Sequence, residues 1–254
     1  KQSQHIDEWS PNRSLFGRLK SRVKRRWLNY RFQKYQESRP DGLELFSQAQ
    51  SVHGHRVAAS VPPADVYNLH WINDFIDPLP FFQTVQQPVV WTLHDMNVFT
   101  GGCHYTVGCR QFEDSCGKCP QLGSESTDDL SRTVWKRKRE AYEKALDDNQ
   151  LHIVASSEWL SRRASESALL AEAPMHVIPL GLDPDTFQPR ETEGLRTAIE
   201  IPPSHRIVLF VAQSVQNRRK GFDLLAETLS SVEKDEVSLL SVGGEEPEIE
   251  TVLS

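Results

Sequence analysis

Six short apolar runs, separated by polar or helix-patterned stretches, constrain this chain more than any other feature. They are VYNL (66–69), VVWTL (89–93), HIVA (152–155), HVI (176–178), RIVLFVA (206–212) and VSLLSV (237–242). β-Branched residues bounded by turn formers read as strands buried in a parallel sheet. Between several of them lie segments with helical periodicity. These are 131–147, with Ser131 as its expected cap, 157–171, and 221–231, which carries Phe222, Leu225 and Leu229 on one face. Strand–helix alternation predicts an α/β fold with doubly wound parallel sheets. Residues 179–204 hold five prolines and predict a linker with a short helix inside it. The expected divisions are 1–180, a linker over 181–204, and 205–254.

The chain has 254 residues, 38% hydrophobic and 25% charged, enough for one large or two smaller domains with a real core. No apolar run is long enough to cross a bilayer. The opening KQSQHIDEWS lacks the apolar core of a signal peptide, which predicts a cytoplasmic location. Methionine occurs only at Met96 and Met175 and the chain opens on Lys1, so it reads as a piece of a longer gene product. The net charge of −6 is unevenly spread: residues 17–39 hold nine basic side chains against Glu37, a segment of +8. An acidic remainder argues against nucleic-acid binding, and the basic block needs its own explanation. Over 12–35, Phe16, Leu19, Val23, Trp27 and Tyr30 recur every three to four residues, an amphipathic helix with a cationic opposite face. Such a helix either turns its stripe to a core or lies on an anionic membrane surface.

The run VVWTL delivers His94 and Asp95 to its carboxyl end, the edge of an α/β sheet where ligands bind. A His-Asp pair there can orient and polarise a hydroxyl, although a capped loop histidine has the same sequence. His70 ends an earlier run and is a second pocket candidate. Gly101 and Gly102 either let the backbone approach a ligand or form a plain turn.

These motifs share an order with a known family. ADVYNLHWI (64–72), TLHD (92–95), FTGGCHY (99–105), IPLGLDPDTFQP (178–189) and RIVLFVA through RRKGFDLL (206–225) together resemble family-four GT-B glycosyltransferases. The closest match is the branch that builds bacterial exopolysaccharide and colanic-acid-type polymers. The resemblance implies an α/β GT-B architecture of two Rossmann-like lobes with parallel sheets, both incomplete in this chain. Residues 1–180 would be the acceptor side, without its first strand and Gly-rich loop, and 205–254 the start of the donor side.

It further implies a retaining transfer from a nucleotide-diphosphate sugar to a lipid-linked or oligosaccharide acceptor, at the inner face of the plasma membrane. The family chemistry is a front-side displacement in which the leaving phosphate helps take the acceptor proton. His94 and Asp95 match the motif near the transferred sugar. Lys220, before Gly221 at a helix start, matches the lysine on the donor diphosphate, and Arg218 and Arg219 could add contacts. A solvated basic turn is the plain alternative for all three. No cofactor is implied for catalysis. Leu180 replaces the asparagine of the family's IPNG, and Ala212-Gln213 replaces its Gly-Arg. The family's E-x7-E motif would lie beyond Ser254, so this chain alone is expected to be inactive. The competing readings are a non-catalytic, zinc-pinned scaffold that binds a membrane or partner, and a GT-B-like sugar-nucleotide epimerase.

All four cysteines, Cys103, Cys109, Cys116 and Cys119, fall within seventeen residues as C-x5-C-x6-C-x2-C. CGKC suits a metal knuckle and four thiolates suit structural zinc. Reduced thiols, an iron–sulfur remnant and disulfides remain open from sequence. A closed four-thiolate site would pin the 96–123 loop beside His94.

Overall fold

The structure is a computed structural model that describes residues 15–191, 193–231 and 237–243. All six apolar runs are strands: β1 (Tyr67–Leu69), β2 (Val89–Leu93), β3 (Leu151–Ala155), β4 (Met175–Val177), β5 (Arg206–Val211) and β6 (Val237–Val242). Among the described residues seven α-helices accompany them: α1 (Leu15–Gln33), α2 (His55–Ala58), α3 (Pro78–Thr84), α4 (Leu130–Asp147), α5 (Glu158–Ser165), α6 (Glu193–Ala198) and α7 (Phe222–Ser230). The chain separates into two compact units: one runs to Leu180, and the other starts at Gly181 and is grouped with Asp41–Leu43.

In the first unit, four parallel strands are ordered β1-β2-β3-β4. The parallel pairing follows from the strand–helix alternation. A doubly wound sheet reverses its strand order and carries helices on both faces. Here the described strands advance one way, as in one half of such a sheet, and the crossover helices α3, α4 and α5 pack on one face. The burial pattern agrees. Val89, Trp91 and Leu93 of β2 and Leu151, Ile153 and Ala155 of β3 are buried and in register with one another. They form one cluster with Phe81 and Phe82 of α3, Trp135 and Tyr142 of α4, and Leu160 and Ala164 of α5. Trp91 meets Phe82 and Tyr142 at ring-centroid distances of 6.4 and 5.8 Å. The opposite face carries the half-buried Val90, His152 and Val154 and the exposed Asn68 and His176.

Local signals set the helix ends. α4 is capped by Asp129, whose side chain accepts from Arg132 N, and not by the expected Ser131. Ser131 lies inside the first turn, where its hydroxyl donates to Asp129 and accepts from Gly117 N. α5 starts at the Ser157 cap but stops at Ser165, short of residue 171. Ser167 then turns its hydroxyl to the carbonyls of Phe99 and Phe112, tying that turn to the loop after β2. Asp77, which precedes α3, is the main polar tie between helices. Its side chain is 1% exposed, accepts two bonds from Arg137 of α4 at 2.7 and 3.0 Å, and lies 3.6 Å from Lys24 of α1.

In the second unit, β5 and β6 pair in parallel around α7, with Phe210 against Phe222 at 5.0 Å. A single β-α-β crossover covers one sheet face, and Leu209, Val211 and Val242 stay exposed on the sheet.

All six tryptophans of the sequence fall before residue 160, so tryptophan fluorescence reports on the first unit alone. One-sided burial predicts unequal effects of neighbouring truncations in β3. Ile153→Ala should destabilise that unit by about 2–5 kcal/mol in urea titrations. Val154→Ala, on the open face, should destabilise it by less than about half as much as Ile153→Ala.

Candidate functional site

At the carboxyl ends of β1 and β2 a cavity is lined by His70, Trp71, Asn73, Thr92, His94 and Asp95, among others. Each strand hands over directly to a histidine, and Trp91 Nε1 donates to the His70 carbonyl at 3.0 Å, fixing the first exit. His70 Nδ1 and His94 Nε2 lie 2.9 Å apart, so one ring donates and the other accepts. Each ring then keeps its second nitrogen as a donor or acceptor toward solvent. Trp71 is 54% exposed at the rim, a flat apolar face beside polar groups.

Asp95 does not pair with His94. Its Oδ1 accepts from Asn97 N at 2.7 Å, and its Oδ2 accepts from His104 Nδ1 at 2.6 Å. His104 Nε2 lies 2.9 Å from the Ser47 hydroxyl. Ser47, His104 and Asp95 therefore form a relay of the serine-hydrolase type. Ser47 is only 5% exposed, however, and is out of reach of a substrate carbonyl. The relay is thus an orienting device: it aims the Asp95 carboxylate and ties residue 47 to the loop after β2. Ser47 N also donates to the Gly102 carbonyl at 2.8 Å, and Phe46 bridges to Cys103. His104 stands within FTGGCHY, and its role is not read there because the contact that defines it comes from residue 47.

Gly101 and Gly102 serve packing. A Cβ at Gly101 would lie 2.5 Å from the Ser131 carbonyl oxygen and 2.9 Å from Cys116 Sγ. At Gly102, with φ +126°, it would lie 2.6 Å from the Phe46 ring. Gly101 borders the cavity lined by the cysteines, and neither glycine lines the histidine cavity.

Beneath the loop sits Lys138 of α4, 2% exposed. Its ammonium donates to the carbonyls of Asn97 and Thr100 and lies 3.4 Å from the Asn97 side-chain oxygen. Burial lowers its pKa from the ordinary lysine value to about 8, opposed by Cys103, Cys116 and Asp95 nearby. The four cysteines line one second cavity together with Phe46 and Phe112. Burial pushes the Cys103 and Cys116 thiols up to about 12 and Cys119 up to about 11. None is in a disulfide. Among the described residues, no three His, Cys, Asp or Glu side chains are gathered as a ready metal site.

In the second unit, the loop leaving β5 ends in a 3-10 turn, Arg218–Lys220, followed by Gly221 at φ +75° and then α7. Arg218, Arg219 and Lys220 are exposed. No side chain caps the first turn of α7, which follows directly on these cations, an arrangement suited to an anion. The structure brings His70, His94 and Asp95 together in one unit and Arg218, Arg219, Lys220 and Gly221 together in the other.

Helix α1 turns the opposite way from an ordinary surface helix. Its inward face is Gly17, Ser21, Lys24, Leu28, Arg31 and Phe32. The apolar stripe points out: Leu19, Val23, Trp27 and Tyr30 are between 49% and 72% exposed. Arg18, Arg22 and Arg26 flank it and are exposed as well. Residues 12–14 and the Phe16 side chain lie outside the described residues. Among the described residues no helix is long and apolar enough to cross a membrane.

No protein-family model, no curated protein and no solved structure matches this chain.

The two histidine environments predict opposite responses to truncation. Asp95→Ala leaves Nδ1 of the buried His104 without its partner and should lower stability by about 1–3 kcal/mol. His94→Ala, at an exposed ring, should change it by less than about 0.5 kcal/mol. Thermal unfolding of the two variants compares them directly.

Proposed function

We propose that this protein is a retaining glycosyltransferase of the GT-B kind, moving a sugar from a nucleotide-diphosphate donor to a lipid-linked or glycan acceptor in bacterial surface-polysaccharide synthesis. The observation that carries the reading is the cavity at the carboxyl ends of β1 and β2. Trp71 gives it a face for the C–H side of a sugar ring, and the His70–His94 pair and Asp95 give hydroxyl-directed acceptors and donors. The acceptor belongs in this unit. The donor diphosphate belongs at Arg218, Arg219 and Lys220, where side-chain cations and the uncapped first turn of α7 neutralise charge without a metal.

In this reading, the departing phosphate takes the acceptor proton. His94 positions the acceptor hydroxyl and stabilises charge as the bond breaks, with its free ring nitrogen toward the acceptor. Asp95, held by His104, contributes a fixed negative field beside it. The test is sugar transfer by the full-length gene product, with a panel of nucleotide-diphosphate sugars and a bacterial lipid-extract acceptor. His94→Ala should lower kcat by about a hundredfold or more. Trp71→Ala should raise KM for the acceptor, and Lys220→Ala should raise KM for the donor. No turnover with any donor, or donor hydrolysis indifferent to acceptor and to His94, would sink the assignment.

The outward stripe of α1 supports attachment to the anionic inner face of the plasma membrane, where a lipid-linked acceptor resides. Aromatic and aliphatic side chains enter the headgroup boundary while the flanking arginines meet lipid charge. Co-sedimentation with phosphatidylglycerol-containing vesicles should exceed that with pure phosphatidylcholine and should fall as salt rises. Trp27→Ala combined with Arg22→Gln and Arg26→Gln should abolish the difference. Equal binding to both vesicle types would remove the electrostatic attachment.

A further inference from the structure

We infer that Cys103, Cys109, Cys116 and Cys119 form a closed, four-thiolate zinc site that locks the loop between β2 and α4, independently of what the histidine cavity binds. Every cysteine in the sequence lines the same cavity. Cys103 and Cys109 reach it from the first half of the loop, and Cys116 and Cys119 from its CGKC turn. Four soft ligands around one void suit a tetrahedral zinc ion, with Zn–S bonds of about 2.3 Å. The sulfurs stand on the cavity wall and do not yet meet at a centre. Rotation about the Cα–Cβ bonds, the softest adjustment a cysteine has, is the movement that binding requires.

Three features surround the cavity as though the sulfurs carry charge. First, a backbone N–H points at one of them. Gly101 N donates to Cys116 Sγ at 3.2 Å. A thiol is a weak acceptor, whereas a thiolate is a strong one. Second, the CGKC turn holds three successive residues at positive φ, Cys116 at 51°, Gly117 at 103° and Lys118 at 43°. Left-handed backbone at two non-glycine residues persists only where the surroundings hold it. Asp129, which caps α4, also accepts from Cys119 N at 2.9 Å and so helps to hold it. Third, the buried Lys138 ammonium is bonded to neutral oxygens only, with Cys103, Cys116 and Asp95 within electrostatic reach. A buried cation needs a counter-charge. A zinc ion with four thiolates carries two net negative charges and adds to what Asp95 supplies.

On binding, each thiol gives its proton to solvent and no electrons move. A closed four-sulfur shell leaves no open position for substrate or water, so the ion is structural. What it fixes is the loop that carries His104, one residue after Cys103, and through His104 the direction of Asp95.

Protein purified without added zinc should contain one zinc ion per chain by elemental analysis. Titration with a mercurial thiol reagent should release it in step with the sulfurs. Cobalt exchanged into the wild-type protein should show the thiolate charge-transfer band of a tetrahedral sulfur site, a readout that needs no variant to fold. Cys116→Ser and Cys119→Ser should each lose the ion. Lys138→Met should weaken retention against a chelator about tenfold. Four freely titrating thiols without metal, disulfides in the native protein, or iron with acid-labile sulfide would each overturn the site.

Discussion

The ammonium of Lys138 holds the loop after β2 where every other feature of the first unit needs it. Three oxygens of that loop, two from Asn97 and one from Thr100, converge on it. Asn97 in turn donates through its side chain to the Gly102 carbonyl at 2.8 Å and through its backbone to Asp95. A charge removed from water is costly, and its hydrogen bonds are correspondingly hard to give up. The chain therefore turns sharply at the strand end and brings Gly101 and Gly102 against Cys116 and Phe46. The same turn leaves His94 in the open and draws Asp95 inward to His104.

The first unit is built on one face of its sheet, which explains how polar ties come to matter. α3, α4 and α5 share the apolar face with Trp91 and Ile153. α1 joins by different means: Lys24 near Asp77, a bond from the Gln48 side chain to the Leu28 carbonyl at 2.8 Å, and the Tyr35 ring packed with Phe46 and Leu122 after the helix ends. A helix docked through such contacts can keep its apolar stripe for something else. Ion pairs and caps set its direction, while the sheet core sets the rest.

The elements were legible in the sequence because burial and periodicity write them locally. All six apolar runs became strands, and the segments beginning near 131, 157 and 221 became helices. The strand order was not legible, because it depends on which neighbours pair, and alternation alone is the same for every order. The stripe of α1 was visible as a pattern, yet its direction depended on partners such as Asp77 that lie far along the chain. At the site, His70, His94 and Asp95 could be picked out as strand-end residues. The Ser47–His104 contact could not, since fifty-seven residues separate its members and neither stands in a spacing that signals the other. The gathering of cysteines was legible from density alone, while the lysine beneath them was hidden as one more basic residue in α4.

The cysteine loop is fastened at both ends and loose in the middle. Near its start, Gly102 is wedged under Phe46. At its close, a Cβ on Gly123 would lie 2.0 Å from the Ser38 carbonyl oxygen. Between them, Val107 is 75% exposed and nothing lies within 4 Å of a Cβ on Gly108. Length can therefore vary among relatives at residues 107–108 without disturbing either anchor. The interval between Cys103 and Cys109 is elastic, whereas the two residues between Cys116 and Cys119 form a fixed gauge. A search for kindred sequences should hold the second spacing constant and let the first one drift.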